Sequence, residues 1–147
     1  MNIYSTEKIR NIGLFGHQGA GKTSLAEALL YCSGVIDRLG KVENGNTVAD
    51  FDPDEIKRAM SVFSAVVPIE WKENKVNIID TPGFFDFVSE SLGALRVVDC
   101  AILVAAANSG TEVGMEKIWD SCEARSKARI MFVNKMDKEN ANFHHLM

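Results

Sequence analysis

Gly16-His17-Gln18-Gly19-Ala20-Gly21-Lys22-Thr23 sets a glycine, four residues and then Gly-Lys-Thr in a row. Such a run can wrap a polyphosphate with backbone N–H groups, because its glycines keep side chains out of the way. A helix opening near Lys22 adds the positive end of its dipole. In that arrangement Lys22 neutralises the terminal phosphates and the Thr23 hydroxyl ligates Mg²⁺. The nucleotide-binding candidates are His17, Gln18, Gly19, Ala20, Gly21, Lys22, Thr23 and Ser24. A glycine turn that binds nothing is the bland alternative.

Asp80-Thr81-Pro82-Gly83-Phe84-Phe85-Asp86-Phe87 follows the apolar run Val76-Asn77-Ile78-Ile79. On a strand parallel to the one before the glycine loop, Asp80 reaches the same sheet edge and can hold Mg²⁺ through a water. Taken alone, an aspartate at a strand end more often caps a turn or helix. Gly83 can offer its backbone N–H to a terminal phosphate with no side chain in the way. Together with Lys22 it is a catalytic candidate. Farther on stands Asn134-Lys135-Met136-Asp137. A carboxylate at Asp137 can accept from guanine N1–H and the 2-amino group. Adenine would leave that carboxylate unpaired and desolvated, which is how a polar group rejects the wrong base. Asn134 reads as a brace for the loop, and the Lys135 stem as packing on the base or the phosphate loop. The alternative for this stretch is a solvated helix cap.

These residues need elements to position them. Ile12 to Phe15 reads as a strand, followed by a helix over Lys22 to Cys32 with Leu25, Leu29 and Cys32 on one face and Gly34 as its stop. From Asp37 to Arg58 the chain is polar, carries Gly40, Asn44-Gly45 and Pro53, and lacks periodicity. It is expected to be a long loop of the functional or mobile kind. Phe63, Ala65, Val67, Ile69 and Trp71 alternate as in a strand, which Pro68 assigns to a sheet edge. A tight turn then leads to an antiparallel strand, Val76 to Ile79. Val88, Ser91, Leu92 and Leu95 fall at helical spacing; so do Met115, Ile118, Trp119 and Cys122. Cys100 to Ala107 and Ile130 to Val133 read as buried strands, and the tail after Asp137 has helical potential. The order β-α-β-β-α-β-α-β predicts an α/β fold, a mostly parallel sheet with one antiparallel edge strand and helices on both faces.

The bulk numbers suit one domain. The chain has 147 residues, 46% hydrophobic and 24% charged, with a net charge of -4 that offers no basic face for DNA. Cys32, Cys100 and Cys122 lack metal-like spacing and read as reduced, buried small hydrophobes, which points to the cytoplasm. No apolar run is long enough to span a bilayer, and no secretory leader is evident. His144-His145 reads as a solvated helix end rather than a metal site, Trp71 and Trp119 as packing residues, and the methionines as scattered.

The stretches GHQGAGKTSLAEALLY, DTPGFFDF and FVNKMDK, in this order, resemble the GTP-binding domain of elongation factor G. The likeness extends from Asn11 to Phe143. It implies a phosphate-loop G domain that is incomplete at its C-terminus, with the family's later domains absent. It also implies GTP or GDP and Mg²⁺ as ligands, with Thr23, Ser61 and Asp80 at the metal. A ribosome partner would be met largely through those absent domains. Exposed sheet edge, weak nucleotide affinity and self-association would then follow. Three departures stand out. The family's catalytic histidine after Asp-Thr-Pro-Gly is Phe84, which can neither orient water nor carry a proton. Arg-Gly-Ile-Thr becomes Arg58-Ala59-Met60-Ser61. Gly19 replaces an aspartate. The chain is therefore more similar to the elongation-factor-G-like paralogues, and slow hydrolysis is expected. The competing readings are a phosphate-loop ATPase or small-molecule kinase, and an interaction module that uses nucleotide only as a brace. Phe84 is expected to be partly exposed beside the phosphates, and Phe85 to face either core or solvent.

Overall fold

The computed structural model describes residues 2–146, with the side chains of Phe85 and His145 outside the description. Strands β1 (Ile9–Phe15), β2 (Ala65–Trp71), β3 (Asn74–Asp80), β4 (Cys100–Ala106) and β5 (Ala128–Asn134) form one sheet in the order β2-β3-β1-β4-β5. β1 pairs in parallel with β3 and β4, β5 is parallel to β4, and β2 is antiparallel to β3. Pro68 lies on the edge strand β2, where a missing N–H interrupts no inner ladder.

Strand alternation separates the two faces. Leu14, Val67, Ile69 and Ile78 pack with Ala26 and Leu30 of α1 (Lys22–Cys32). Phe15, Ile79, Ala101, Leu103 and Ala105 pack on the other face with Leu95 of α3 (Val88–Val97) and with Met115, Ile118 and Cys122 of α4 (Val113–Ala124). The expected mostly parallel sheet, antiparallel edge and two-sided helices are all present.

Several local expectations change. The inward face of α1 is Lys22, Thr23, Ala26, Glu27 and Leu30. Leu25 and Leu29 pack at its margin, and Cys32 is exposed. Ala26 lets the helix approach the sheet and Leu30 fills the inward face a turn farther on, so Leu25 and Leu29 sit to the side. Cys100 is half-buried and only Cys122 is fully buried. β5 is not a buried strand: it forms the second sheet edge, with Ile130 58% and Phe132 40% exposed on the α1 side of the sheet, beyond the strands that α1 covers. Trp71 is half-exposed under Lys72, whereas Trp119 packs beside the core with the Arg129 guanidinium over its ring.

The stretch from Asp37 to Arg58 carries structure. It holds a 3-10 turn, Val42–Asn44, and a short helix, α2 (Pro53–Arg58). Asp52 and Glu55 form a reciprocal capping box around Pro53, which satisfies the free amides of the first turn. The tail closes with a 3-10 turn, Phe143–Leu146.

Candidate functional site

β1, β3 and β4 run in parallel, so their C-terminal ends meet at one edge of the sheet. The glycine loop leaves β1 there, and Asp80 ends β3 beside it. An open cavity of about 260 Å³ lies over this edge. Gln18, Gly19, Gly21, Lys22, Thr23 and Ser24 line it from the loop and α1, Gly83 and Phe84 from the turn after β3, and Asn134 and Lys135 from the end of β5.

Lys22 is buried, and its Nζ donates to the Gly16 and His17 carbonyls at 3.0 Å each. Burial lowers its pKa, and the nearby charges of Asp80 and Asp50 oppose that fall. Its ammonium is thus parked on loop carbonyls at the floor of the cavity. Thr23 Oγ1 donates to Asp80 Oδ2 at 2.7 Å and lies 3.3 Å from Ser61 Oγ. Ser61 Oγ donates to Asp50 Oδ1 at 2.7 Å. The result is a connected chain, Asp50–Ser61–Thr23–Asp80, drawn from four separate parts of the sequence.

Both carboxylates of that chain are short of partners. Asp80 Oδ1 and Asp50 Oδ2 are buried and accept no hydrogen bond. Burial pushes Asp80 up to about 6 even though the Thr23 hydrogen bond and Lys22 pull it down. Burial likewise raises Asp50, with Glu55 and Glu27 adding repulsion against the Ser61 hydrogen bond and Lys22. Carboxylates left so incompletely compensated are costly in a protein interior. An all-oxygen set of two carboxylates and two hydroxyls is what a hard divalent cation such as Mg²⁺ takes. The residues present therefore fit Mg²⁺. The sequence points to Thr23, Ser61 and Asp80 but not to Asp50, which lies in a stretch where no periodicity marks one acid as buried.

Gly83 lies directly on the phosphate loop: a Cβ there would stand 2.4 Å from Lys22 Nζ and 2.6 Å from the Gln18 amide nitrogen. Only a residue without a side chain allows that approach. Phe84 is partly exposed at the cavity wall, 39% by area, and presents an apolar ring where the resemblance places a histidine.

Other candidates lie farther out. Asn134 Nδ2 donates to the Ala20 carbonyl at 2.9 Å, the brace expected of it. Lys135 lines the cavity with its backbone at φ 58°. The Asp137 side chain is 77% exposed, 3.9 Å from Lys138 Nζ, and outside the cavity lining. His17 turns away from the cavity to place Nδ1 2.7 Å from Glu112 Oε2, at the N-terminus of α4. Ala20 is buried on that same side. Among the described residues no group of three or more His, Cys, Asp and Glu side chains could hold a metal, and His144 belongs to none. No described helix is long and apolar enough to cross a membrane.

The family model for the elongation factor Tu GTP binding domain matches residues 7–147. Mitochondrial ribosome-releasing factor 2 of Candida dubliniensis is 41% identical over 143 residues, which is 97% of this chain and 18% of that protein. Elongation factor G 2 of Borreliella afzelii is 42% identical over 135 residues, 92% of this chain and 20% of that protein. A crystal structure of a Thermus thermophilus protein superposes with a TM-score of 0.89 at 38% identity, covering 95% of this chain and 21% of that one. The chain thus spans about a fifth of the length of the relatives it matches.

Proposed function

Because this chain belongs to the elongation factor Tu GTP binding domain family, with elongation-factor-G-like proteins among its relatives, we propose that it is the nucleotide switch of a translational GTPase. It binds GTP and GDP with Mg²⁺ and hydrolyses GTP slowly. The observation that carries this reading is the pair of buried, unpartnered oxygens, Asp50 Oδ2 and Asp80 Oδ1, at either end of the Thr23–Ser61 hydroxyl pair beside the phosphate loop.

Each residue then has a task. The loop from His17 to Ser24 turns its amides toward the phosphates. Lys22 exchanges its two carbonyl partners for phosphate oxygens, a charge-assisted bond in place of neutral ones. Thr23, Ser61, Asp80 and Asp50 would hold Mg²⁺, which supplies charge neutralisation at the phosphates. Gly83 must withdraw from Lys22 to admit a terminal phosphate, which links the turn after β3 to the presence of that group. Asp137 closes over guanine, and Asn134 keeps the base end tied to the loop. Phe84 has no group that can orient an attacking water, so hydrolysis relies on positioning and charge alone. A ribosome is the natural partner of the whole protein, given the names of its relatives. The compartment follows that ribosome: reduced cysteines favour the cytoplasm, while several relatives are mitochondrial by name.

Two measurements test the reading. Fluorescent GDP and ATP titrations with Mg²⁺ should show a clear guanine preference; ATP preference would end it. Single-turnover GTP hydrolysis, with ribosomes and the full-length protein, should be slow for wild type and accelerated on the order of a hundredfold or more by Phe84→His. Fast wild-type turnover that Phe84→His fails to improve refutes the role given to Phe84. Bound GTP that stays intact for hours in both proteins favours the nucleotide-braced module instead.

A further inference from the structure

We propose that Glu27 is a positioning residue for the cation site, its carboxylate holding the backbone segment that delivers Asp50. The proposal rests on the reading above, that Asp50, Ser61, Thr23 and Asp80 serve a divalent cation.

Glu27 lies one helical turn beyond Thr23 on the same inward face of α1, and it is 1% exposed. Its Oε2 accepts from the Gly40 amide at 3.1 Å, and its Oε1 accepts from the Val48 amide. Among the described residues these are its only hydrogen-bond donors, and it enters no ion pair. A carboxylate this deep, held by neutral amides alone, keeps a large desolvation cost that water would relieve. The loop from Gly40 to Val48 is therefore the lid on an otherwise uncompensated charge. Its closure and the burial of Glu27 are one event.

The loop is shaped to close on that carboxylate. A Cβ at Gly40 would lie 2.6 Å from Glu27 Oε2 and 2.7 Å from the Asn46 carbonyl oxygen, so no larger residue fits. Between the two held amides the chain makes its own turn, with the Lys41 amide donating to Asn46 Oδ1 at 2.7 Å. Immediately after Val48, Ala49 is buried against the α1 face of the sheet, and Asp50 enters the site. A second buried acid secures the far end. Glu55 Oε1 accepts from the Val62 and Phe63 amides at 2.8 and 3.0 Å, next to Ser61. Asp50 and Ser61 thus hang between two buried carboxylates that read only backbone. The negative charge of Glu27 also bears on Asp50, and a divalent cation beside Asp50 would relieve that repulsion. Cation binding and loop closure should favour each other for that reason.

The test follows amide hydrogen exchange at Gly40 and Val48 without nucleotide, and Mn²⁺ affinity by electron paramagnetic resonance with GDP present. Glu27→Gln keeps the volume but turns one acceptor into a donor. It should speed exchange at both amides while leaving Ile78 and Leu103 of the sheet protected. It should also weaken Mn²⁺ binding roughly tenfold or more, the usual effect of removing a group that orients metal ligands. GDP affinity in EDTA should not change. Gly40→Ala attacks the same contact from the loop side and should give the same pattern, which keeps the test open if one variant folds poorly. Unchanged exchange at Gly40 and Val48 overturns the proposal. So does faster exchange throughout the sheet, or faster loop exchange with full Mn²⁺ affinity. Wild-type protein that takes up no Mn²⁺ overturns the underlying cation reading too; this failure is distinguishable because Glu27→Gln would still open the two amides.

Discussion

At the phosphate end of the cavity Lys22, Thr23, Asp50 and Asp80 are all buried. Each is tied to another part of the chain by hydrogen bonds of 2.7 to 3.0 Å. At the end proposed for the base, outside the cavity lining, the Asp137 carboxylate is 77% exposed and pairs with the adjacent Lys138 at 3.9 Å. The first end is assembled in advance and carries desolvated charge that invites a counter-charge. The second has its residues on a turn and, on the proposed reading, would acquire a low-dielectric setting when a base covered it. Affinity should therefore be concentrated at the enclosed end, and base choice should depend on closure at the open one.

The largest effect expected from that contrast is at Lys22. Lys22→Ala removes the buried cation facing Asp80 and Asp50, and GTP affinity measured by fluorescence titration should fall about a hundred- to a thousandfold. Asp137→Ala should act differently. Total GTP affinity drops less, but the preference for GTP over ATP shrinks on the order of a hundredfold, because the lost group is the one adenine leaves unpaired. If Asp137→Ala weakens binding more than Lys22→Ala does, the two ends have been ranked in the wrong order.

Proton competition sharpens the contrast further. The Asp80 pKa, raised to about 6 by burial, means that its carboxyl must lose a proton before it can serve a cation. Mn²⁺ affinity should be flat well above that pH and fall about tenfold per unit below it. Stability of the cation-free protein should move the opposite way. A carboxyl whose pKa is raised on folding favours the fold below its ordinary value of 3.8 and loses that contribution as pH climbs through about 6. A pH-independent Mn²⁺ affinity between pH 5 and 7 would contradict the role assigned to Asp80.

How far the sequence disclosed each end follows from the same physics. The phosphate loop is local: its glycines, Lys22 and Thr23 are consecutive, and the flanking strand and helix have clear patterns. The mostly parallel sheet with one antiparallel edge strand followed from the alternation of strands and helices, whereas the order β2-β3-β1-β4-β5 is set by the fold. Asp50 was invisible because it sits in a segment held by hydrogen bonds to two buried carboxylates, one of them Glu27 on α1, that no local pattern reveals. The cap Asp52-Pro53-Asp54-Glu55 is a local signal for α2, an acid three residues before a second acid around a proline, that the reading of Asp37 to Arg58 as a long loop misses. For β5 an apolar run suggests burial, but periodicity cannot say whether a strand is covered. Ile130 and Phe132 face outward because α1 lies over β1, β2 and β3.

Asn134 joins the two ends, and it carries the smallest predicted effect. It leaves the last residue of β5 and donates to the Ala20 carbonyl at 2.9 Å inside the phosphate loop. Removing it in Asn134→Ala forfeits one neutral hydrogen bond, about 1 kcal/mol in urea unfolding. If the bond only stabilises the fold, GDP and GTP affinities should be unaffected once the protein is folded. If it transmits position from loop to base turn, guanine preference should fall several-fold while Mn²⁺ affinity in the same variant stays at the wild-type value. The brace role predicts the second pattern, since Asp137 has no other described tie to the phosphate loop. A double-mutant cycle of Asn134→Ala with Asp137→Ala measures it directly: strong non-additivity in guanine preference supports the brace, and strict additivity would leave the two ends of the cavity independent.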